Sequence, residues 1–184
     1  MTKTEIKSLL KKCVILPDNN EEIRRILLRH GKFFPCQADI HDCPIASDWK
    51  RQSRPQPKRC FFNAQKFAKE NLDLDISYWE GVVFSPTLSS FFCHAWNTVG
   101  DDLIDLTLTR KEDNGKSYLG VKIDRFFLFD HEQGRWEGQE VGGFYGGFLL
   151  EYFKDDRYKE YPLPGTEVRL NSCTHPRTET RRLA

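Results

Sequence analysis

The sequence predicts an α+β domain in which helices come first and a mainly antiparallel sheet follows. Three observations lead to this fold class. The chain has 184 residues, which suits one domain with its own hydrophobic core. Amphipathic patterns with helical spacing mark several segments of the first 70 residues. From residue 76 onward, segments rich in aromatic and β-branched residues alternate with turn signals.

Two helices are predicted near the start of the chain. The first covers residues 4–12, with Thr4 as its N-cap. The second covers residues 21–30, with Asn20 as its N-cap and Gly31 as its stop. Each would bury one apolar face, formed by Ile6, Leu9 and Leu10 in the first helix and by Ile23, Ile26 and Leu27 in the second.

Residues 33–58 are predicted to form an irregular surface connection, because prolines punctuate a polar stretch. The stretch also holds residue types that bind zinc, and two more near the C-terminus could complete a tetrahedral site. Their spacing fits no common zinc finger, so we predict no metal and keep zinc as an alternative. The residues concerned are Cys36, His41, Cys43, Cys173 and His175.

A helix at residues 59–70 opens the second part of the predicted domain. The organisation is therefore an N-terminal helical part with its irregular connection (1–58), an α+β core (59–161) and a loose tail rich in Pro, Thr and Arg (162–184). Strands are predicted at residues 76–84, 91–98, 103–108, 118–130 and 135–141, and a last helix at 148–158.

Composition and charge limit the classes of partner. The formal net charge is +1, so no long-range field would attract nucleic acid or an anionic membrane. No stretch approaches the roughly 20 apolar residues of a membrane span, and the polar N-terminus lacks the apolar core of a signal peptide. We therefore expect a cytoplasmic protein whose 6 cysteines are reduced, with neither nucleic acid nor membrane as a partner.

Cys60 is predicted to lie at the start of the helix at residues 59–70. N–H groups and the helix dipole stabilise negative charge there, and Lys58 and Arg59 add positive charge. These surroundings favour a thiolate, the nucleophilic form of cysteine, and the same N–H groups could bind an oxyanion. A buried, inert core cysteine is the alternative that Cys60 alone leaves open.

His94 and Asp105 each interrupt an apolar strand, where each needs a polar partner. A short turn around Gly100 joins the two strands. If that turn has two or four residues, His94 and Asp105 lie on the same face, opposite each other or one diagonal step apart. The sequence therefore predicts a Cys60–His94–Asp105 triad. A histidine–aspartate pair that only ties two strands together is the alternative.

Five short motifs resemble those of the transglutaminase-like and papain-like cysteine enzyme superfamily, in particular small uncharacterised bacterial and phage-type members. The resemblance covers about residues 57–122. It implies a papain-like core with a catalytic helix packed on a sheet, Cys60 as nucleophile, His94 as base and Asp105 as the group that orients His94. The motifs are C-F-x-N-A from Cys60, Y-x-E-G from Tyr78, H-A-W from His94, D-x-T from Asp105 and Y-x-G from Tyr118.

Two further groups of residues are predicted to surround the triad. One group consists of polar or aromatic side chains that could bind an oxyanion or line a cleft. The other lies on the loops at 85–90 and 109–117, which adjoin the His94 and Asp105 strands; binding residues often occupy such loops. The cleft candidates are Gln56, Asn63, Glu80 and Trp96, and the substrate-binding candidates are Leu88 and Arg110.

The predicted function is a thiol-dependent hydrolase or acyl transferase acting on an amide of a peptide, an isopeptide or a glutamine side chain. Protease, deamidase and transglutaminase share this machinery, and peptide or isopeptide hydrolysis is the first expectation. The partner would be a protein or peptide substrate, and no cofactor would be needed. The alternative is a non-catalytic protein-binding module that uses the N-terminal helices and residues 33–58.

Overall fold

A five-stranded antiparallel sheet with helices packed on one face forms the body of the chain. The computed structural model describes residues 1–12, 21–35, 43–108, 116–124, 127–128 and 149–154. Within these residues every strand pair is antiparallel, so the predicted α+β class is confirmed.

The strands lie side by side in the order β1-β5-β2-β3-β4. The helices are α1 (Lys3–Lys12), α2 (Glu21–His30), α3 (Pro44–Ser53), α4 (Cys60–Glu70) and α5 (Leu149–Lys154). The strands are β1 (Lys32–Phe34), β2 (Ile76–Ser85), β3 (Ser90–Val99), β4 (Asp102–Ile104) and β5 (Ser117–Ile123).

Helix α1 begins with a capping box formed by Thr2 and Glu5. The Thr2 hydroxyl accepts a hydrogen bond from the Glu5 N–H at 3.2 Å, and the Thr2 N–H donates to the Glu5 carboxylate at 2.7 Å. The predicted cap at Thr4 is therefore wrong, because a Thr–x–x–Glu pair two residues earlier satisfies the helix start. The buried face consists of Ile6 and Leu10, while Leu9 is exposed.

Helix α2 ends where the sequence predicts. The Gly31 N–H donates to the Leu27 carbonyl at 2.9 Å, and Leu27 belongs to the buried face together with Ile23 and Ile26. A side chain at Gly31 would collide with that carbonyl and with Leu119, so the position also needs glycine for packing. The predicted cap, Asn20, lies outside the described residues.

The predicted irregular connection at residues 33–58 is wrong in two places. Strand β1 extends to Phe34 and pairs with β5, and helix α3 occupies Pro44–Ser53. Pro44 suits the first turn of a helix, where its missing N–H is not required. Trp49 anchors the helix, because its indole is buried and donates to Glu70 of α4 at 2.6 Å.

Strand β4 ends at Ile104, before the predicted strand at 103–108 is complete. The Asp105 side chain accepts hydrogen bonds from the N–H groups of Thr107 and Leu108, both at 2.9 Å. These bonds fold the backbone into an Asx-type turn that leaves the sheet. Asp105 therefore lies at the end of the strand rather than inside it.

The two faces of the sheet have different neighbours. In β2, Tyr78 and Val82 face the helices and join the main hydrophobic core. Trp79 and Val83 face the other side and join a smaller aromatic cluster with Trp96 of β3. Alternation along β3 puts His94 on the face of Trp96, away from the helical layer.

Several predictions fall outside the described residues: the strand at 135–141, the final part of the helix at 148–158, and the tail at 162–184. The division into parts at residues 58 and 161 stays a prediction. Among the helices that the structure describes, none has the length and apolar character of a membrane span.

Candidate active site

Cys60 is the first residue of helix α4 and is partly exposed. Just before it, Lys58 has a φ of 62°, in the left-handed region that residues other than glycine rarely adopt. The Ala95 N–H of β3 donates a hydrogen bond to the Cys60 sulfur, and the His94 side chain is a second partner. The thiol is thus fixed against β3 and still reachable.

His94 and Asp105 form a buried pair. His94 Nε2 lies 2.6 Å from Asp105 Oδ2, and the two side chains are only 3% and 0% exposed. Since β3 and β4 pair Asn97 with Ile104, Asp105 is one diagonal step from His94, one of the two arrangements predicted from the sequence. Nε2 faces Asp105, so Nδ1 is the ring nitrogen that remains for Cys60.

Asp105 accepts hydrogen bonds with both carboxylate oxygens. Thr107 and Leu108 donate to Oδ1, while the Tyr118 hydroxyl donates to Oδ2 at 3.1 Å beside His94. All of these partners are donors, which suits an ionised carboxylate. The network fixes the orientation of the His94 ring and the tautomer that donates through Nε2.

The electrostatics of the three groups favour a charged pair. Burial alone would raise the pKa of the Cys60 thiol, but His94 and the Ala95 N–H lower that pKa below its ordinary value. Burial would lower the pKa of His94, but Asp105 and Cys60 raise it to about 10. The same contact with His94 lowers the pKa of Asp105 against the effect of burial. Together the groups stabilise a Cys60 thiolate next to a His94 imidazolium.

Asn63, a cleft candidate, connects the segment before Cys60 to the turn after Asp105. Its amide bonds the Gln56 backbone twice, accepting from N–H at 3.0 Å and donating to C=O at 2.8 Å. It also donates to the Thr107 hydroxyl at 2.9 Å. The Asn63 side chain is buried, so its role is to position the two segments that carry Cys60 and Asp105.

Gln56, the oxyanion candidate, contacts Asn63 only through its backbone in these bonds, and its own side chain is exposed. Glu80, another cleft candidate, is fully buried and faces the helices rather than His94. It accepts from the Tyr78 hydroxyl at 2.6 Å and from the Leu149 N–H at 2.8 Å. The structure therefore does not bring the Glu80 carboxylate into the triad; it joins β2 to the start of α5.

Trp96, the fourth cleft candidate, packs beside the triad. Its ring is fully buried and lies parallel to the His94 ring at 6.4 Å, with an angle of 19° between the planes. It also meets the Tyr118 ring edge-on at 5.2 Å. Trp96 therefore keeps water away from the side of the histidine–aspartate pair that it covers.

Two glycines, from the Y-x-E-G and Y-x-G motifs, allow close packing around the triad. Gly81 and Gly120 face each other across β2 and β5, next to His94 on β3. A Cβ at Gly120 would lie 2.4 Å from the Trp96 ring, and one at Gly81 would lie 2.1 Å from a backbone oxygen of Leu119. Glycine at position 120 leaves room for the Trp96 ring, and glycine at position 81 lets the backbone of β5 approach β2 closely.

We expect Gly120→Ala to lower the free energy of unfolding by about 3 kcal/mol, since the added methyl overlaps a fully buried ring. Urea denaturation measures the loss. Gly100→Ala is the matched control: φ is +58° there but no atom lies within 4 Å of its Cβ, so about 1 kcal/mol is expected. Equal losses for the two variants would contradict the packing argument.

The sequence predicts no separate role for Thr107 or Tyr118, both of which contact the site. Their signal was their place in the D-x-T and Y-x-G motifs. Cys93 faces the helical side, as alternation predicts, and burial raises its pKa to about 12. Cys93 is therefore a poor nucleophile beside Cys60.

The two substrate-binding candidates differ in what the structure describes. Leu88 lies in the loop between β2 and β3 and is 69% exposed. The strand from Ser90 to His94 spans about 13 Å, so Leu88 would contact only a ligand that extends that far from the triad. Arg110 lies outside the described residues, and both roles stay predictions.

Most of the candidate zinc ligands lie outside the described residues. Of these candidates only Cys43 is described, as a half-buried residue directly before α3. No group of three or more His, Cys, Asp or Glu side chains in the described part of the chain is arranged to hold a metal ion.

Comparison of the chain with protein-family models, with curated proteins and with solved structures gave no match.

Proposed function

We propose that the chain is a thiol-dependent hydrolase or acyl transferase that acts on an amide carbonyl, with a transglutaminase-like or papain-like core. The observation that carries the proposal is the Cys60–His94–Asp105 arrangement: a partly exposed thiol at a helix start, hydrogen-bonded to a buried histidine that a carboxylate holds at 2.6 Å. Such an arrangement satisfies the nucleophile, base and orienting requirements of covalent catalysis.

In the proposed reaction, the Cys60 thiolate attacks the carbonyl carbon of the amide. The developing oxyanion lies near the N-terminus of α4, whose dipole favours negative charge. The C–N bond then breaks, and the leaving amine takes the His94 proton, which leaves a thioester on Cys60. Water or a second amine attacks the thioester carbon and gives its proton to His94, and the C–S bond breaks to release the Cys60 thiolate. Water gives hydrolysis or deamidation, and an amine gives transfer.

Asp105 does not exchange protons in this scheme. It accepts the Nε2 hydrogen of His94, so that Nδ1 faces the reacting sulfur, and it stabilises the imidazolium. Because the Tyr118 hydroxyl also donates to Asp105, the carboxylate is held from strand β5 as well as from its own turn. These residues are positioning residues for the base.

A peptide mixture rich in glutamine and lysine, supplied with an added primary amine, tests the proposal. Mass spectrometry distinguishes chain cleavage, conversion of glutamine to glutamate and incorporation of the amine. We expect at least one of these products with the unmodified chain and none with Cys60→Ala. Cys93→Ala is the control, because Cys93 faces away from His94 and should leave turnover intact. Equal turnover by Cys60→Ala would overturn the proposal.

A further inference from the structure

A groove of about 620 Å³ opens between helices α1, α2 and α5. None of the triad residues lines it. Its volume lies in the range of small-molecule sites. Ile26 and Leu28 of α2 and Phe153 of α5 give it apolar surface. The Phe153 ring lies 5.2 Å from the His30 ring, with 34° between their planes, so two aromatic rings meet at one side of the groove.

Basic side chains dominate the rest of the lining. Lys7 and Lys11 lie one turn apart on α1, and Arg25 and Arg29 lie one turn apart on α2. Among the lining residues that the structure describes, Glu22 is the one carboxylate. These side chains leave an excess of three positive charges, although the chain as a whole carries a formal net charge of only +1.

The cations of the groove are crowded against one another. Burial, followed by repulsion from Lys3 and Lys11, lowers the pKa of Lys7. Burial, followed by repulsion from Arg29 and Lys7, lowers the pKa of His30. Within the described part of the chain, neither Lys11 nor Arg29 forms an ion pair. An anion in the groove would relieve this repulsion.

We propose that this groove binds a small molecule in which an aromatic ring is joined to two or more phosphates, a nucleoside di- or triphosphate. The guanidinium groups of Arg25 and Arg29 suit bidentate contacts with phosphate oxygens. A nucleoside diphosphate carries about three negative charges near neutral pH, which matches the excess on the described residues of the lining. The ring would pack on the aromatic side formed by Phe153 and His30.

The size and charge of the groove favour this ligand over an acidic protein segment. A diphosphate concentrates its charge on two adjacent groups, whereas carboxylates along a peptide are spread over several residues. The lysines and arginines line one groove rather than a long stripe, so a compact ligand has several cationic partners there, although Lys7 also donates to the Leu28 carbonyl. The rings of His30 and Phe153 offer a packing surface for the nucleobase, in addition to the cations that would bind the phosphates.

Isothermal titration calorimetry of the full chain with ADP, adenosine and pyrophosphate tests the proposal. We expect ADP to bind, and adenosine and pyrophosphate each to bind at least about tenfold more weakly. Arg29→Glu should weaken ADP binding by about tenfold or more, since it removes one favourable charge and adds a repulsive one. Lys12→Glu is the matched control on α1; it is exposed and outside the groove, so a change below about twofold is expected.

Cys60→Ala should bind ADP as the unmodified chain does, which separates this proposal from the catalytic one. Arg25 and Arg29 are exposed, so their variants should fold, and circular dichroism checks this. No heat of ADP binding, or equal losses for Arg29→Glu and Lys12→Glu, would overturn the proposal. If pyrophosphate binds as tightly as ADP, the proposed packing of the nucleobase on Phe153 and His30 is wrong. A single-stranded RNA that binds more tightly than ADP and displaces it would identify a nucleic-acid surface instead.

Discussion

Replacement of His94 by Gln is expected to slow alkylation of Cys60 by iodoacetamide at pH 6.5 by at least about tenfold. In the unmodified chain, His94 and the Ala95 N–H lower the pKa of Cys60 against the effect of burial. An ordinary thiol is only about 1% ionised at that pH, so restoring an ordinary pKa could remove up to about a hundredfold in thiolate concentration. A stabilised thiolate is intrinsically less nucleophilic, which reduces the expected loss toward tenfold.

The pH dependence gives this experiment its control. Because the pKa of Cys60 is lowered, Cys60 stays ionised at pH values where an ordinary thiol is protonated. The unmodified chain should therefore alkylate faster than His94→Gln at low pH, and the difference in rate should shrink toward pH 9. Peptide mapping identifies which cysteine carries the label. Cys93→Ser should leave the rate at Cys60 unchanged, since the pKa of Cys93 is about 12. Equal rates for His94→Gln and the unmodified chain at pH 6.5 would exclude an ion pair.

The pairing of His94 with Asp105 could be predicted because it depends on local geometry. Both allowed turn lengths put the two residues on one face of a hairpin, so the prediction did not require the exact turn. Cys60 could be placed at a helix start from the spacing of its apolar residues. These inferences use residues close in sequence, or a periodicity that one helix or one hairpin determines.

Other features depended on contacts that the local pattern does not contain. Strand β5 pairs with β1 and β2 although it follows β4 in the chain, so the Tyr118 contact to Asp105 is set by strand order. Helix α3 could not be predicted from apolar periodicity, because only Ala46 and Trp49 of its ten residues are buried. The bonds from Asn63 to Gln56 and Thr107 likewise arise from tertiary packing, although Asn63 and Thr107 belong to the motifs.

Asp105→Ala is expected to lower the free energy of unfolding by about 3 to 5 kcal/mol, because it leaves several buried donors without their acceptor. The donors are His94 Nε2, the Tyr118 hydroxyl and the N–H groups of Thr107 and Leu108. Asp105→Asn should cost less, since its carbonyl can still accept from the two backbone groups. Turnover should fall by several orders of magnitude in both variants, because neither stabilises the imidazolium.

The pH dependence of stability distinguishes the ionic role of Asp105 from simple packing. Asp105 helps to raise the pKa of His94 to about 10 against burial, so protonated His94 stabilises the fold below its unfolded pKa of about 6.5. That contribution is lost as the pH rises toward about 10. The lowered pKa of Cys60 acts in the opposite sense, since its contribution is present at high pH and lost as the pH falls. The contribution of the His94–Asp105 pair to stability is therefore measured in the Cys60→Ala variant, which lacks the opposing effect of Cys60.

In that background, urea denaturation should show stability falling as the pH rises above about 6.5, because Asp105 keeps on folded His94 a proton that the unfolded state releases. Adding Asp105→Asn should abolish the fall: His94 is then buried without a carboxylate, and burial lowers its pKa. The neutral ring would be favoured, so stability should instead rise as the pH increases through about 6.5. A parallel pH profile for the two proteins would show that Asp105 fills space without holding the charge on His94.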